Sequence, residues 1–336
     1  MAELEMDWTV TLGDFAPQGA AYDGLMKTLR EGTFVHAYLI SGMAGVGKRT
    51  LAQTMGQYLL CESQGDKPCG VCPACVQVRE GTHPDMTLVR PEKSIQVDAI
   101  REVIRKAGEH TYAGGRRIIR IEQAEKMTPA AQNCLLKTLE EPVAGTVFLL
   151  VTDAPELLLP TIVSRCRALK LHPWADSVVL DVLHRHGVNQ HRASEALHVS
   201  GGSLGKALSV AADEGYWQRR SEVMRDFLSL EGRSDILRVS AQWKDKRDQS
   251  GELLDDVEDM IRSLLLVRLG QRDRSAASGF PAPWQQMAAS GDTGDFIQLM
   301  DAVREARQLR ASQVTWQAVV EKLLLRLMEE KTRWST

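Results

Sequence analysis

The stretch that decides the fold covers residues 41–50, which read Ser41-Gly42-Met43-Ala44-Gly45-Val46-Gly47-Lys48-Arg49-Thr50. An apolar run lies before it at 37–40, and a helix-like segment follows at 51–55. Read as G-x-x-x-x-G-K between a strand and a helix, the stretch predicts a P-loop, in which backbone amides and a lysine hold phosphate oxygens. The candidate nucleotide-binding residues are therefore Gly42, Gly45, Val46, Gly47, Lys48, Arg49 and Thr50. The alternative is a glycine turn that joins a strand to a helix without binding nucleotide.

The residue after the P-loop lysine departs from the usual pattern. That position normally carries Ser or Thr, whose hydroxyl binds Mg²⁺, whereas this chain has Arg49. Thr50 lies about 100° further around a helix of ~3.6 residues per turn, so its side chain is expected to point elsewhere. We therefore predict a phosphate cradle without its metal ligand, and ATP/Mg²⁺ binding that is weak or absent.

Length and composition indicate a soluble globular protein of more than one domain. The 336 residues are 43% apolar and 25% charged, with a net charge of −3 that by itself does not favour nucleic acid. Because no apolar run approaches the ~18 residues of a membrane span, no membrane association is expected. The acidic start, residues 1–7, lacks a signal-peptide pattern, so the expected compartment is the cytoplasm.

Four of the six cysteines are clustered in the order C-x7-C-x2-C-x2-C, namely Cys61, Cys69, Cys72 and Cys75. This spacing suits one tetrahedral Zn²⁺, and a disulfide pairing is the poorer explanation in a reducing cytosol. Four protein ligands leave no position for a catalytic water, so the metal would hold a small insertion together. Cys134 and Cys166 lie apart and are expected to be small core residues.

Apolar runs alternate with helix-like segments through the first half of the chain. Strands are predicted at 34–40, 86–89, 117–121 and 147–152, and helices at 22–31, 48–60, from 95 onwards, 127–141 and 154–163. The buried stripe of the helix from residue 95 is predicted to comprise Ile95, Ala99, Val103 and Ile104, and the helix that ends before Pro142 is predicted to bury Leu135, Leu136 and Leu139. Such alternation predicts an α/β domain with a mostly parallel sheet covered on both faces.

Two strand ends bear on nucleotide chemistry. In P-loop proteins the second essential strand ends in Asp, which holds Mg²⁺, and often continues with Glu, which activates water. Here the strand at 117–121 is followed by Glu122 and Gln123, and a glutamine cannot accept the proton, so hydrolysis is expected to be weak or lost. Glu122 is either a remaining metal contact or a residue that ends a strand at the surface. Thr152, at the end of the next strand, is the remaining candidate for nucleotide contact.

Ser164-Arg165-Cys166 follows the predicted helix at 154–163 and is expected to place Arg165 on an exposed corner. A solitary exposed arginine is usually a solvated charge. At a subunit boundary it can instead stabilise transition-state charge in a neighbour's active site.

Beyond about residue 172 the strand pattern disappears. Residues 173–212 read as short helices, and amphipathic helices are predicted at 252–269 and 314–328, with a polar loop at 272–283. The expected domains are 1–172, 173–212 and 213–336.

Five features in one unbroken order, over about the first 210 residues, resemble the bacterial DNA polymerase III clamp loader of the AAA+ superfamily. They are His36-Ala37-Tyr38-Leu39, the four-cysteine insertion, Thr82-His83-Pro84-Asp85, the helix that ends at Pro142, and Ser164-Arg165-Cys166. The resemblance implies an AAA+ P-loop domain, a small helical lid and a helical collar that holds subunits in a ring. It also implies gamma/tau motor and delta subunits as partners, with the sliding clamp and primer-template DNA reached through the assembly.

Three departures from the motor subunit's pattern separate this chain from it. They are Lys48-Arg49 in the P-loop, Glu122-Gln123 at the strand end, and Gly205 in Gly202-Ser203-Leu204-Gly205, where the motor has Arg. The resemblance therefore implies a subunit without intrinsic catalysis that lends Arg165 in trans to a neighbouring motor, within the DNA polymerase (nucleotidyltransferase) holoenzyme. The alternatives are the active gamma/tau-type ATPase, and a zinc-bearing nucleic-acid binder whose P-loop grips backbone phosphate.

Overall fold

The computed structural model describes residues 11–112, 115–270, 288, 291–312 and 314–334. The chain forms two compact units, one of residues 1–179 with 202–205 and one of residues 180–201 with 206–336. The three-domain division stays a prediction, and the predicted loop at 272–283 lies outside the described residues.

The first unit contains a five-stranded sheet in which every neighbouring pair is parallel, as predicted. The strands are β1 (Ala37–Ser41), β2 (Met86–Val89), β3 (Arg117–Ile121), β4 (Thr146–Thr152) and β5 (Arg167–Lys170), in the order β2-β3-β4-β1-β5. Strand β1 begins three residues later than predicted. Strand β5 was not predicted, because its sequence Arg-Ala-Leu-Lys contains no apolar run.

Six α-helices of the first unit precede, separate or follow these strands along the chain. They are α1 (Ala20–Arg30), α2 (Lys48–Leu60), α3 (Pro73–Glu80), α4 (Val97–Ala107), α5 (Pro129–Glu140) and α6 (Pro160–Arg165). Helix α5 begins after Thr128, whose hydroxyl accepts a hydrogen bond from the Ala131 amide at 3.3 Å and thereby caps the helix. It buries Leu135 and Leu139 as predicted, while Leu136 is half-buried.

Two helix predictions were wrong in detail. Helix α4 begins at Val97, because Ile95 instead forms a parallel bridge with Met127. In its buried stripe, Ile100 takes the place predicted for Ala99. Ala99 is exposed. The predicted helix at 154–163 is a 3₁₀ turn (Pro155–Leu157) followed by α6, since Pro160 cannot donate a backbone hydrogen bond and disfavours helix in the residue before it.

The second unit is helical in its described residues. Its helices, together with two that begin in the first unit, are α7 (Asp176–Arg185), α8 (Gln190–Ser200), α9 (Leu204–Ala212), α10 (Tyr216–Leu228), α11 (Arg233–Lys244), α12 (Ser250–Arg268), α13 (Thr293–Ala311) and α14 (Trp316–Trp334). Its core contains the fully buried rings of Phe227, Trp243 and Phe296.

The predicted helix at 252–269 corresponds to α12, and the one at 314–328 to α14, which extends to Trp334. Leu324 is buried, whereas Ala318 and Leu325 are exposed. Among the described helices, none combines the length and the apolar character that a bilayer span requires.

Candidate nucleotide and metal sites

The P-loop joins the end of β1 to the start of α2, at the carboxyl edge of the parallel sheet. Gly42, Gly45 and Gly47 all have positive φ angles, of 147°, 72° and 101°. A Cβ atom on Gly42 would lie 2.6 Å from the Leu171 carbonyl oxygen, so this position accepts only glycine without a shift of the backbone.

The ammonium group of Lys48 is turned into the protein. It donates hydrogen bonds to the carbonyl oxygens of Gly42 at 2.8 Å and Met43 at 2.6 Å, and it lies 2.6 Å from Asp153 Oδ1. These three contacts match the three donors of an ammonium group, and the Lys48 side chain is only 5% exposed. The P-loop lysine is therefore held by the chain itself.

The next three carbonyl groups of the loop are also hydrogen-bonded. The Ser203 hydroxyl donates to Ala44 O at 3.0 Å, the Gly205 amide to Gly45 O at 2.8 Å, and the Trp174 indole to Val46 O at 2.8 Å. Residues 202–205 belong to the same compact unit as the loop. All five successive carbonyl groups from residue 42 to residue 46 thus have donors within the unit.

Gly205, where the resemblance implies Arg in the motor subunit, packs closely against the P-loop. A Cβ atom at this position would lie 3.0 Å from the Gly45 Cα atom and 3.2 Å from its carbonyl oxygen. A side chain at this position would therefore press on the Gly45 backbone, to which the Gly205 amide is hydrogen-bonded.

Arg49 and Glu122 meet in an ion pair. The carboxylate of Glu122 is fully buried and lies 3.2 Å from Arg49 Nε, 3.0 Å from Arg90 Nε and 3.1 Å from Arg120 Nη2. The alternative that Glu122 ends a strand at the surface is therefore wrong. Burial lowers the pKa of Arg120, and the charge of Glu122 acts in the opposite direction.

These residues do not fit the Mg²⁺ site of a P-loop. The position that should supply a hydroxyl ligand supplies a guanidinium, and the carboxylate that should face the metal is occupied by three arginines. The Thr50 carbonyl accepts a hydrogen bond from the Thr54 hydroxyl at 2.8 Å, as part of the ordinary packing of α2. Gln123, the residue after Glu122, adopts a left-handed conformation with φ of 50°.

Thr152 lies beside the start of the P-loop, because β4 pairs with β1 in the register Ser41 to Thr152. Its hydroxyl donates to Glu125 Oε2 at 2.6 Å and accepts from the Ala154 amide at 3.1 Å. Glu125 and Asp153 were not predicted as site residues, and they bring two further carboxylates to this edge of the sheet. Their only sequence signal is their position just after β3 and β4.

Arg165 is the last residue of α6 and is 34% exposed. Its Nη2 lies 2.5 Å from Glu140 Oε1, and its Nη1 donates to the Thr161 carbonyl at 3.0 Å. Both contacts are to α5 and α6 and neither is to the P-loop residues. The side chain is thus half-buried rather than fully exposed.

The four clustered cysteines come together. Their sulfur atoms all lie within 4.8 Å of one another, and Cys61 Sγ is 3.9 Å from Cys72 Sγ. Four sulfurs about 2.3 Å from a tetrahedral zinc ion would be about 3.8 Å apart, so the cluster could bind a metal ion of this kind. All four are free thiols.

Backbone amides point at three of the four sulfurs. They are those of Cys69 to Cys61 Sγ at 3.5 Å, Cys72 to Cys69 Sγ at 3.3 Å, and Cys75 to Cys72 Sγ at 3.4 Å. Backbone amides, chiefly that of Val71, lower the pKa of Cys69 to about 6, whereas burial raises that of Cys75. Amide donors stabilise the thiolate, and the thiolate is the form of cysteine that binds a metal.

A parallel α/β sheet with a P-loop between a central strand and the following helix defines the class of P-loop nucleotide-binding folds. Within that class, the family described as "DNA polymerase III, delta subunit" matches residues 17–175. A DNA polymerase III subunit delta' from Yersinia pestis is 30% identical over 94% of this chain and 94% of its own length. The chain therefore belongs to the DNA polymerase III delta-prime subunit family, as the resemblance to the clamp loader predicted.

Two further relatives are also DNA polymerase III subunits. The DNA polymerase III subunit delta' of Escherichia coli strain K12 is 40% identical over 59% of this chain, and the match covers 61% of that protein. The DNA polymerase III subunit tau of Bacillus subtilis is 32% identical over 64% of this chain, but the match covers only 37% of the tau protein.

Proposed function

We propose that this chain is the non-hydrolysing delta-prime subunit of a clamp loader, which helps to place the sliding clamp on primed DNA during chromosomal replication. The observation that carries the proposal is the ion pair between Arg49 and the fully buried Glu122. It joins the two positions that would hold Mg²⁺ in an active P-loop ATPase. Membership of the delta-prime family supports the same role.

The surrounding residues support the absence of hydrolysis at this P-loop. Gln123 cannot accept a proton from an attacking water, and Lys48 is bound to two loop carbonyls and to Asp153. In this proposal ATP is hydrolysed in the neighbouring gamma/tau subunits.

Arg165 is proposed to act in trans on the ATP site of a neighbouring motor subunit. The pairing with Glu140 and the hydrogen bond to the Thr161 carbonyl hold the guanidinium at the end of α6, and a third of the side chain is exposed. A positioned guanidinium can stabilise the charge on a transferring phosphoryl group and is worth ~10³–10⁵ in rate.

The four cysteines are proposed to bind a structural Zn²⁺ that holds residues 61–75 together. All four ligand positions come from the chain, so the metal would have no open position for a reacting water. The metal therefore stabilises the fold of this insertion and supplies no chemistry.

The second unit is proposed to contain most of a small helical lid, residues 173–212, and a collar, residues 213–336, that joins the gamma/tau and delta subunits. Leu237, Leu269 and Ile297 in this unit are each more than half exposed, which is consistent with apolar contacts to other subunits. Clamp and primer-template DNA would be reached through the assembly, in the cytoplasm.

Reconstitution tests this role directly. Gamma/tau and delta subunits, combined with and without this chain, are assayed for loading of the sliding clamp onto primed DNA. Loading that requires the chain is the expected result. Equal loading in its absence would contradict the proposal, and strong salt-dependent DNA binding by the isolated chain would favour the nucleic-acid-binding alternative.

A further inference from the structure

We propose that Glu140 is a positioning residue for Arg165, because its carboxylate orients the guanidinium for contact with the ATP site of a neighbouring motor subunit. The assignment rests on the proposed function, in which Arg165 acts in trans. It goes beyond that function by naming a second residue on which the reaction depends. Glu140 serves the reaction rather than the stability of the fold.

The backbone of Arg165 is fixed on both sides along the chain. Arg165 is the last residue of α6, whose Ile162 is fully buried. Two residues later, Arg167 begins β5 and pairs with Tyr38 of β1. The Cα atom of Arg165 therefore has little freedom, and the position of the charge depends on the torsions of a long side chain.

Two contacts orient the guanidinium itself. Arg165 Nη2 lies 2.5 Å from Glu140 Oε1, and Arg165 Nη1 donates to the Thr161 carbonyl oxygen at 3.0 Å. Because they involve different nitrogens of a planar group, the two contacts together restrict its rotation. Within the described part of the chain they use at most two of the five N–H donors of Arg165. At least three donors are left for the oxygens of a phosphoryl group.

Glu140 is held in place by the packing of α5. It is the last residue of that helix, and the preceding Leu139 is buried in the same hydrophobic cluster as Ile162 of α6. A negative charge in the last turn disfavours a helix, because the C-terminal end already carries a partial negative charge. Glu140 therefore does not stabilise α5, and the guanidinium of Arg165 is the charge that compensates it.

The ion pair contributes little to the stability of the fold. The side chains of Arg165 and Glu140 are 34% and 48% exposed, and exposed ion pairs are screened by water and salt. Position matters far more for a group that acts on a transition state, since a displacement of about 1 Å can cost ~10²-fold in rate. Loss of the Glu140 carboxylate should therefore affect the reaction much more than the folding of the chain.

ATP hydrolysis by the reconstituted assembly, with clamp and primed DNA present, tests the inference. Glu140→Ala is expected to lower kcat about tenfold and to leave KM for ATP within about twofold, because the motor subunit binds the nucleotide. Glu140→Gln keeps an acceptor oxygen and should lower kcat only about threefold. Glu141→Ala is the matched control, since the exposed Glu141 is not the partner of Arg165, and it should keep the wild-type rate.

A wild-type rate for Glu140→Ala, beside a collapse of the rate for Arg165→Ala, would overturn the inference and leave the proposed role of Arg165 intact. A wild-type rate for Arg165→Ala would contradict the proposed role in trans, and the assignment of Glu140 would fall with it.

A double-mutant cycle separates positioning from an effect on the fold. In an Arg165→Ala background, Glu140→Ala should cause no further loss of rate, because a positioning residue acts only through the group that it positions. The Glu140→Gln substitution repeats the cycle with less change in packing. A further loss in the Arg165→Ala background would overturn the inference, since Glu140 would then act through the fold or the assembly.

Discussion

The P-loop and the four-cysteine cluster lie in the same compact unit, and both sequence motifs belong to ligand sites, yet their side chains behave in opposite ways. At the cysteine cluster, four sulfurs converge within 4.8 Å of one another. At the P-loop, the charged side chains pair with one another, Lys48 with Asp153 and Arg49 with Glu122. A motif therefore marks where a ligand site can form, while the partners of its side chains decide which ligand fits.

The largest effect is expected where the chain acts on another subunit. In the proposed function this P-loop does not hydrolyse ATP, so the catalytic contribution of the chain should come from Arg165. Arg165→Ala is expected to lower the ATPase rate of the reconstituted assembly about 10³-fold, measured as phosphate release with clamp and primed DNA. Arg192→Ala, an exposed arginine of α8, is the control. A loss of only a few-fold in an intact assembly would mean that Arg165 is a surface charge.

Replacement of two cysteine ligands should affect the cysteine cluster and leave the P-loop unchanged. A Cys69→Ser, Cys72→Ser variant is expected to lose its bound zinc, about one ion per chain, and to loosen residues 61–75 because the metal contributes directly to the folding of such modules. Metal analysis and hydrogen exchange provide the measurements, with Cys134→Ser as the control. Unchanged zinc content would show that the cluster is not the metal site, and altered exchange at the P-loop would show that the sites are coupled.

Disruption of the ion pairs around Glu122 should destabilise the fold of the unit that contains the P-loop. Glu122→Gln leaves the buried guanidinium of Arg120 without a charged partner, so the free energy of unfolding is expected to fall by about 3 kcal/mol. Urea denaturation gives the value, and Glu156→Gln at an exposed position is the control. A change no larger than that of the control would show that the arginine cluster does not depend on the carboxylate.

The smallest effect is expected from one of the bonds that hold the loop. Trp174→Phe removes the indole hydrogen bond to Val46 O and is expected to lower the free energy of unfolding by about 1 kcal/mol. Hydrogen exchange should also quicken at residues 42–47. A ring substitution that changes neither quantity would indicate that the loop keeps its shape without this donor.

How much of each site could be predicted depends on how far apart its residues lie in the sequence. The cysteine cluster is local, so the spacing from Cys61 to Cys75 was enough to anticipate its convergence. The P-loop and the parallel sheet were also evident from local pattern. Arg90, in contrast, reaches Glu122 only because β2 and β3 are neighbours in the sheet, and no periodicity specifies that contact.

The errors have the same origin. Ala99 was assigned to the buried stripe because Ile95 was counted as helical. Ile95 instead forms an isolated parallel bridge with Met127, and the buried position is taken by Ile100. The hydrogen bond between Gly205 and Gly45 likewise joins residues far apart in the chain, so the reason for glycine at position 205 appears only in the fold.

The most direct test of the central claim is steady-state ATP hydrolysis by the isolated full-length chain in Mg²⁺, with Lys48→Ala assayed beside it. The pairing of Arg49 with Glu122 predicts no turnover above background in either protein. Turnover at the rate of a dedicated motor subunit, abolished by Lys48→Ala, would contradict it.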